Sequence, residues 1–193
     1  MELDSHEDSP VVGSEALIIR THDRKVIVNR FTPSLGSNKV DVVDAEVAYE
    51  CEFTGKVLIV VISNGLHLKE MKHNLISLFI MRLAGLEVNE QPKFMTRNPT
   101  TKHHSVYFKE NDIRLPLAIK VIVSFLPTSK PRQEEYLNIG TRLELTPPFT
   151  EWDPHYPSYE ISENCMMDHD GNINSNLNIP EDPTVENPAM GTC

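Results

Sequence analysis

The stretch Lys56 to Val88, KVLIVVISNGLHLKEMKHNLISLFIMRLAGLEV, is the longest apolar span of the chain, and any fold the chain adopts must take it out of water. Within it, Val57 to Ile62 is an unbroken run of β-branched residues and leucine. Such a run predicts a strand covered on both faces, where a half-wet strand would alternate. After a polar crossing at Lys69, Glu70 and Lys72, Asn74 is expected to cap a helix over about Asn74 to Ala84. Leu75, Ile76, Leu78, Phe79, Ile80, Leu83 and Ala84 leave only Ser77 and Arg82 polar in it, and Gly85 ends it. A helix so apolar is packed on most of its circumference, and the whole span reads as core.

With 193 residues, 39% hydrophobic and 24% charged, the chain suits one globular domain with added segments. A net charge of −10 with no Lys/Arg cluster argues against a direct nucleic-acid partner, since phosphate binding needs a basic face. No stretch reaches the roughly 18 apolar residues of a membrane span. The start, MELDSHEDSP, is acidic where a signal peptide is basic and then apolar, so a cytoplasmic protein is expected. Cys51, Cys165 and Cys193 are odd in number and far apart, which suits free thiols better than a disulfide framework or a metal knuckle.

Along the chain, an acidic knot (Asp4, Glu7, Asp8) precedes Val11-Val12. Ala16–Ile19 and Val26–Phe31 then read as a hairpin turning at Thr21-His22-Asp23-Arg24. Pro33 to Asn38 is a second turn, and Val40 to Phe53 supplies a further strand or two. Met95 to His104 reads as loop. Val106-Tyr107-Phe108 and Ile113 to Phe125 resume strand patterning, limited by Pro116. Arg132 to Leu137 suits a helical turn after Pro131, and Arg142 to Leu145 a short strand. The expected fold is mainly β (α+β), a small closed or partly open barrel with one principal helix and an irregular C-terminal extension. The expected divisions are a domain over 1–92, a β-rich extension over 93–160, and a disordered tail over 161–193, where Pro180, Pro183 and Pro188 sit among acids and asparagines.

The acidic knot carries the strongest chemistry. LDSHEDSPVVG resembles the Asp-Ser/Thr-Gly-Ala-Asp loop that retroviral-type aspartic proteases place before an apolar strand, with His6 at the glycine position and Glu7 at the alanine position. It is more similar still to polyproteins of copia-like retrotransposons, a subgroup of which reads Asp-Ser-His-Ala-Asp-Thr there. Further likenesses follow in the same order: Leu66-His67-Leu68 leading to His73-Asn74-Leu75-Ile76-Ser77, then Ala84-Gly85-Leu86-Glu87-Val88. Later come Phe125-Leu126-Pro127-Thr128 with Pro131, Leu145-Thr146, and Glu151-Trp152-Asp153-Pro154-His155. The resemblance covers Glu2 to Asn172 and rests on the order of these motifs, none of which is specific alone. It implies a retropepsin-like segment of a Gag-Pol-type polyprotein that takes a polypeptide substrate and acts as a homodimer. Each subunit of such a dimer supplies one aspartate, and the pair shares a proton and activates one water. Asp4 stands at the catalytic position, Ser5 at the position whose hydroxyl braces the paired loops, and Asp8 at the one that holds substrate backbone. Glu7, a carboxylate in place of a small residue, and the mere three residues before Asp4, which leave the lead-in strand missing or very short, imply a degenerate enzyme. The competing reading is a solvated acidic terminus on a non-catalytic interaction protein or remnant.

Other motifs carry less. His103-His104 diverge on a strand and lack a third ligand at useful spacing, so a surface pair and no metal are expected. Asp168, Asp170, Asn172, Asn174 and Asn176 alternate like calcium ligands, but the glycine and the closing glutamate of a calcium loop are misplaced. Trp152 suits a docking anchor. No GxSxG, phosphate loop or dinucleotide fingerprint appears, and no cofactor is expected.

Overall fold

A computed structural model describes residues 1–5, 7–29, 36–138, 142–148 and 156–173, the side chains of 136–138 excepted. The backbone divides into two compact units, Met1–Thr150 and Glu151–Cys193. Trp152, the Pro33–Leu35 part of the second expected turn and the tail beyond residue 173 lie outside the described residues.

The first unit is mainly β. Its strands are β1 (Glu2–Asp4), β2 (Val11–Val12), β3 (Leu17–Asn29), β4 (Ser37–Glu50), β5 (Val57–His67), β6 (Leu75–Ser77), β7 (Glu87–Asn89), β8 (Ser105–Phe108), β9 (Ile113–Pro116), β10 (Ala118–Lys120), β11 (Val123–Phe125) and β12 (Arg142–Glu144). Nine of them form one mixed sheet in the order β10-β11-β1-β6-β2-β5-β4-β3, with β12 also paired to β5. The other three form a separate sheet, β7-β8-β9. Among the described residues the large sheet runs from an edge at β10 to an edge at β3 and does not close, which corrects the closed form of the expected barrel. The short helices α1 (Leu78–Leu83) and α2 (Gln133–Asn138) interrupt the strands.

The apolar run behaves as its composition requires. β5 is buried on both faces from Leu58 to Ser63, with Leu58, Val60 and Ile62 in the main core beside Val43, Ala45, Val47 and Tyr49 of β4 and Leu143 of β12. That core also takes in Leu115, Leu117 and Leu126, so residues on both sides of position 92 share it. The expected loop before His104, the strands β8 to β11, the helical turn after Pro131 and the strand at Arg142 all occur.

Two local expectations give way to pairing between distant strands. Leu75-Ile76-Ser77 forms β6 in place of a first helical turn, because Leu75 lies opposite Glu2 on one side and Val11 on the other. Only Leu78 to Leu83 is helical; it buries Leu78, Ile80 and Met81 and leaves Phe79 half exposed, so it is amphipathic rather than packed all round. Of the expected hairpin over residues 16–31, Leu17–Asn29 is instead one continuous edge strand, β3, and residues 30–31 lie outside the described residues. Its polar cluster at 22–24 bulges out between the pairs Thr21↔Val43 and Lys25↔Asp41.

The strand leading into the acidic knot, expected to be missing or very short, is present as the three-residue β1, held between β11 and β6. In the second unit, α3 (Ser158–Cys165) and a bridge from Met167 to Ile173 order part of the stretch expected to be disordered. Cys51 is a free thiol, whereas Cys165 is disulfide-bonded, a correction to three free thiols. No helix among the described residues is long and apolar enough to cross a membrane.

Candidate functional site

β1 and β2 are consecutive in the chain but not neighbours in the sheet, because β6 lies between them. Leu3 lies opposite Ile76 and Asp4 opposite Ser77, all running parallel. Leu3 and Ile76 are both buried and fix this register by packing. The connection from Asp4 to Val11 must therefore pass over the end of β6, where the chain turns into α1. That crossing puts Asp4, Ser5, Glu7 and Asp8 together at one end of the sheet.

Asp4 and Glu7 are half-buried, Ser5 and Asp8 are exposed, and Ser9 and Pro10 are buried. Burial, and then the negative charges of Asp4 and Asp8, push the Glu7 carboxyl above the usual carboxylate range. Three carboxylates thus share one electrostatic neighbourhood. The far end of the loop is anchored on β5 and its exit: Pro10 O accepts from Leu66 N at 2.7 Å and Val12 O from Leu68 N at 3.0 Å. A cavity of about 360 Å³ bordered by Glu2, Glu15, Glu50, His73 and Lys120 includes none of the three predicted site residues.

Sequence reasoning missed a second polar assembly on β3, β4 and β5. Asp44, 9% exposed, accepts from Asn64 N, contacts His22 Nε2 and pairs with Arg20 Nε, each at 2.9 Å. Arg24 Nη2 donates to Asn64 Oδ1 at 2.9 Å. Burial works to raise the Asp44 carboxyl. The His22 hydrogen bond, the Asn64 N–H and the charges of His22 and Arg20 outweigh it and hold the group below its ordinary value. Nearby on β4, Glu46 is 2% exposed and accepts from Arg142 Nε at 2.8 Å through one oxygen, while the other has no hydrogen-bond partner. The available signal was Asp44 and Glu46 inside the otherwise apolar run Val42 to Tyr49, since carboxylates enter a core only when paired.

The remaining predicted candidates fall apart. His104 is buried, in left-handed backbone (φ 54°), with Nε2 at 2.9 Å from Ser124 Oγ, so only His103 belongs to the surface. The Asp168 carboxylate closes its own turn by accepting from the backbone N–H groups of Asp170 and Asn172. Asn174 and Asn176 lie outside the described residues. Among the described residues, no group of three or more His, Cys, Asp or Glu is placed to hold a metal ion. No family model, curated protein or solved structure matches the chain.

Proposed function

We propose that this chain is a retropepsin-like segment of a copia-like retrotransposon polyprotein, with Asp4 in the catalytic position, Ser5 and Asp8 supporting it, and peptidase activity suppressed by Glu7. One observation carries the reading. Two of the stretches that carry the resemblance, Leu3-Asp4-Ser5 and Asn74-Leu75-Ile76-Ser77, are far apart in sequence yet adjacent in register, Asp4 opposite Ser77. Asp4 also ends an interior strand rather than trailing from a frayed terminus, which is what a carboxylate needs if it is to be held at a fixed point.

In this reading two chains bring two Asp4 side chains together. One carboxylate then takes a proton from a water as that water attacks the substrate carbonyl, and the other, protonated, donates to the carbonyl oxygen. Glu7 works against this. A like charge at about 4 Å and an effective dielectric of about 20 raises the energy by about 4 kcal/mol unless protons are taken up. A dimer would gather two Glu7 carboxylates around the Asp4 pair. The elevated Glu7 carboxyl is also the observation favouring the second reading, a non-catalytic interaction protein or remnant.

The test is cleavage of a peptide library between pH 4 and pH 7 by the unmodified chain, Glu7→Ala, and Glu7→Ala with Asp4→Asn. The proposal expects little turnover by the first, activity from the second and its loss in the third. Robust Asp4-dependent turnover by the unmodified chain would remove the role given to Glu7. An inactive Glu7→Ala would favour the non-catalytic reading.

A further inference from the structure

We infer that Asn74 is a positioning residue for the Asp4 loop, a role that rests on the proposed reading for its catalytic meaning but not for its geometry. Asn74 is 2% exposed and sits in the segment that joins β5 to β6, where it bonds both strands that flank the acidic loop, at their ends away from it. Its backbone carbonyl accepts from Glu2 N at 2.9 Å, at the start of the strand that delivers Asp4. Its side-chain Oδ1 accepts from Gly13 N at 2.8 Å, one residue past the strand on which the loop returns. The next residue, Leu75, continues the clasp by pairing with Glu2 and Val11 at once.

β1 has three residues and β2 two, so neither offers much ladder of its own. The separation of β1 and β2 below the loop is then set by what spans them, and Asn74, next to β6, does this with one backbone and one side-chain acceptor. Sequence reading made Asn74 a helix cap, yet α1 starts after Ser77 and has no side-chain cap bond. The amide oxygen is spent on Gly13 instead. The chain packs closely around this bond, since a Cβ on Gly13 would lie 2.6 Å from Met71 O.

The experiment has three arms. In the Glu7→Ala chain, Asn74→Ala is expected to lower kcat about tenfold or more with KM changed less than about twofold, since small misplacements of a reacting group act on the chemical step. Asn74→Asp, which keeps the acceptor oxygen, is expected to recover most of the rate at the acid end of the pH range, where its buried carboxyl is protonated. In the otherwise unmodified chain, Asn74→Ala is expected to bring the titration of the Glu7 carboxyl, followed by NMR, back towards that of a free glutamate, because a released loop exposes that carboxyl to water and spreads its acids. Should Asn74→Ala fail to fold, amide exchange in the unmodified chain decides: Gly13 and Glu2 should be protected like the interior of β5.

Unprotected Gly13, or a folded Asn74→Ala with unchanged Glu7 titration, overturns the inference. Absence of any cleavage by Glu7→Ala strikes only the peptidase reading and leaves the titration and exchange arms to judge Asn74.

Discussion

Gly13 has no room for a side chain: a Cβ there would meet Met71 O at 2.6 Å and His73 O at 2.7 Å, both backbone atoms that cannot swing aside. Gly13→Ala is therefore expected to lower stability by about 1–3 kcal/mol, seen as a lower urea midpoint with an unchanged slope. Asp44 makes a different kind of prediction. Its carboxyl is held below the ordinary value, so it contributes stability that is present above the unfolded-state pKa of about 3.9 and is lost as pH falls through the lower folded-state value. Unfolding midpoints followed from neutral to acid pH should fall more steeply for the unmodified chain than for Asp44→Asn. The two curves should converge at the acid end, and parallel curves would refute the linkage. Asp44→Ala should cost a further about 1–3 kcal/mol at neutral pH by leaving the buried Asn64 N–H without its acceptor.

At the scale of elements, the β10–β11 hairpin carries its own strain. Val121, a β-branched residue, sits at φ 61° in its turn, and it and Ile122 are 90% and 91% exposed. No packing offsets the backbone penalty of about 1–3 kcal/mol, so Val121→Gly is expected to stabilise the chain by about 1 kcal/mol, measured as a rise in thermal midpoint. Elements whose fate depends on their own residues were legible in the sequence. The β-branched run became β5, Pro131 preceded a short helix, and Pro116 fell at the end of β9. Elements decided by distant partners were not. Leu75-Ile76-Ser77 has the composition of either a strand or a helix, and what settled it was β1 and β2 flanking it on both sides. Thr21 to Arg24 has the composition of a turn, but Arg20 and His22 reach Asp44 across the sheet, and the strand continues through as a bulge.

At the scale of the whole molecule, the letters of the acidic loop were legible but their setting was not. Asp4, Ser5 and Asp8 could be picked out in sequence, whereas the insertion of β6 between β1 and β2, which gathers them at a sheet end, depends on pairing across most of the first half of the chain. The proposed chemistry then makes a demand that a single copy cannot meet, since one chain brings one Asp4 and the shared proton requires two. Activity unmasked by Glu7→Ala should therefore depend on concentration: at low dilution-limited levels the rate should climb with the square of chain concentration, and become linear once dimers saturate. Adding Asp4→Asn chains should poison it. With random pairing, an approximately ninefold excess of Asp4→Asn leaves each Asp4 chain an Asp4 partner in only about a tenth of its dimers, and activity should fall to about that fraction. Both dependences can be read from initial rates on one peptide substrate. A rate linear in chain at all concentrations and indifferent to added Asp4→Asn would mean that a single copy does the chemistry, and the two-aspartate mechanism would have to be abandoned.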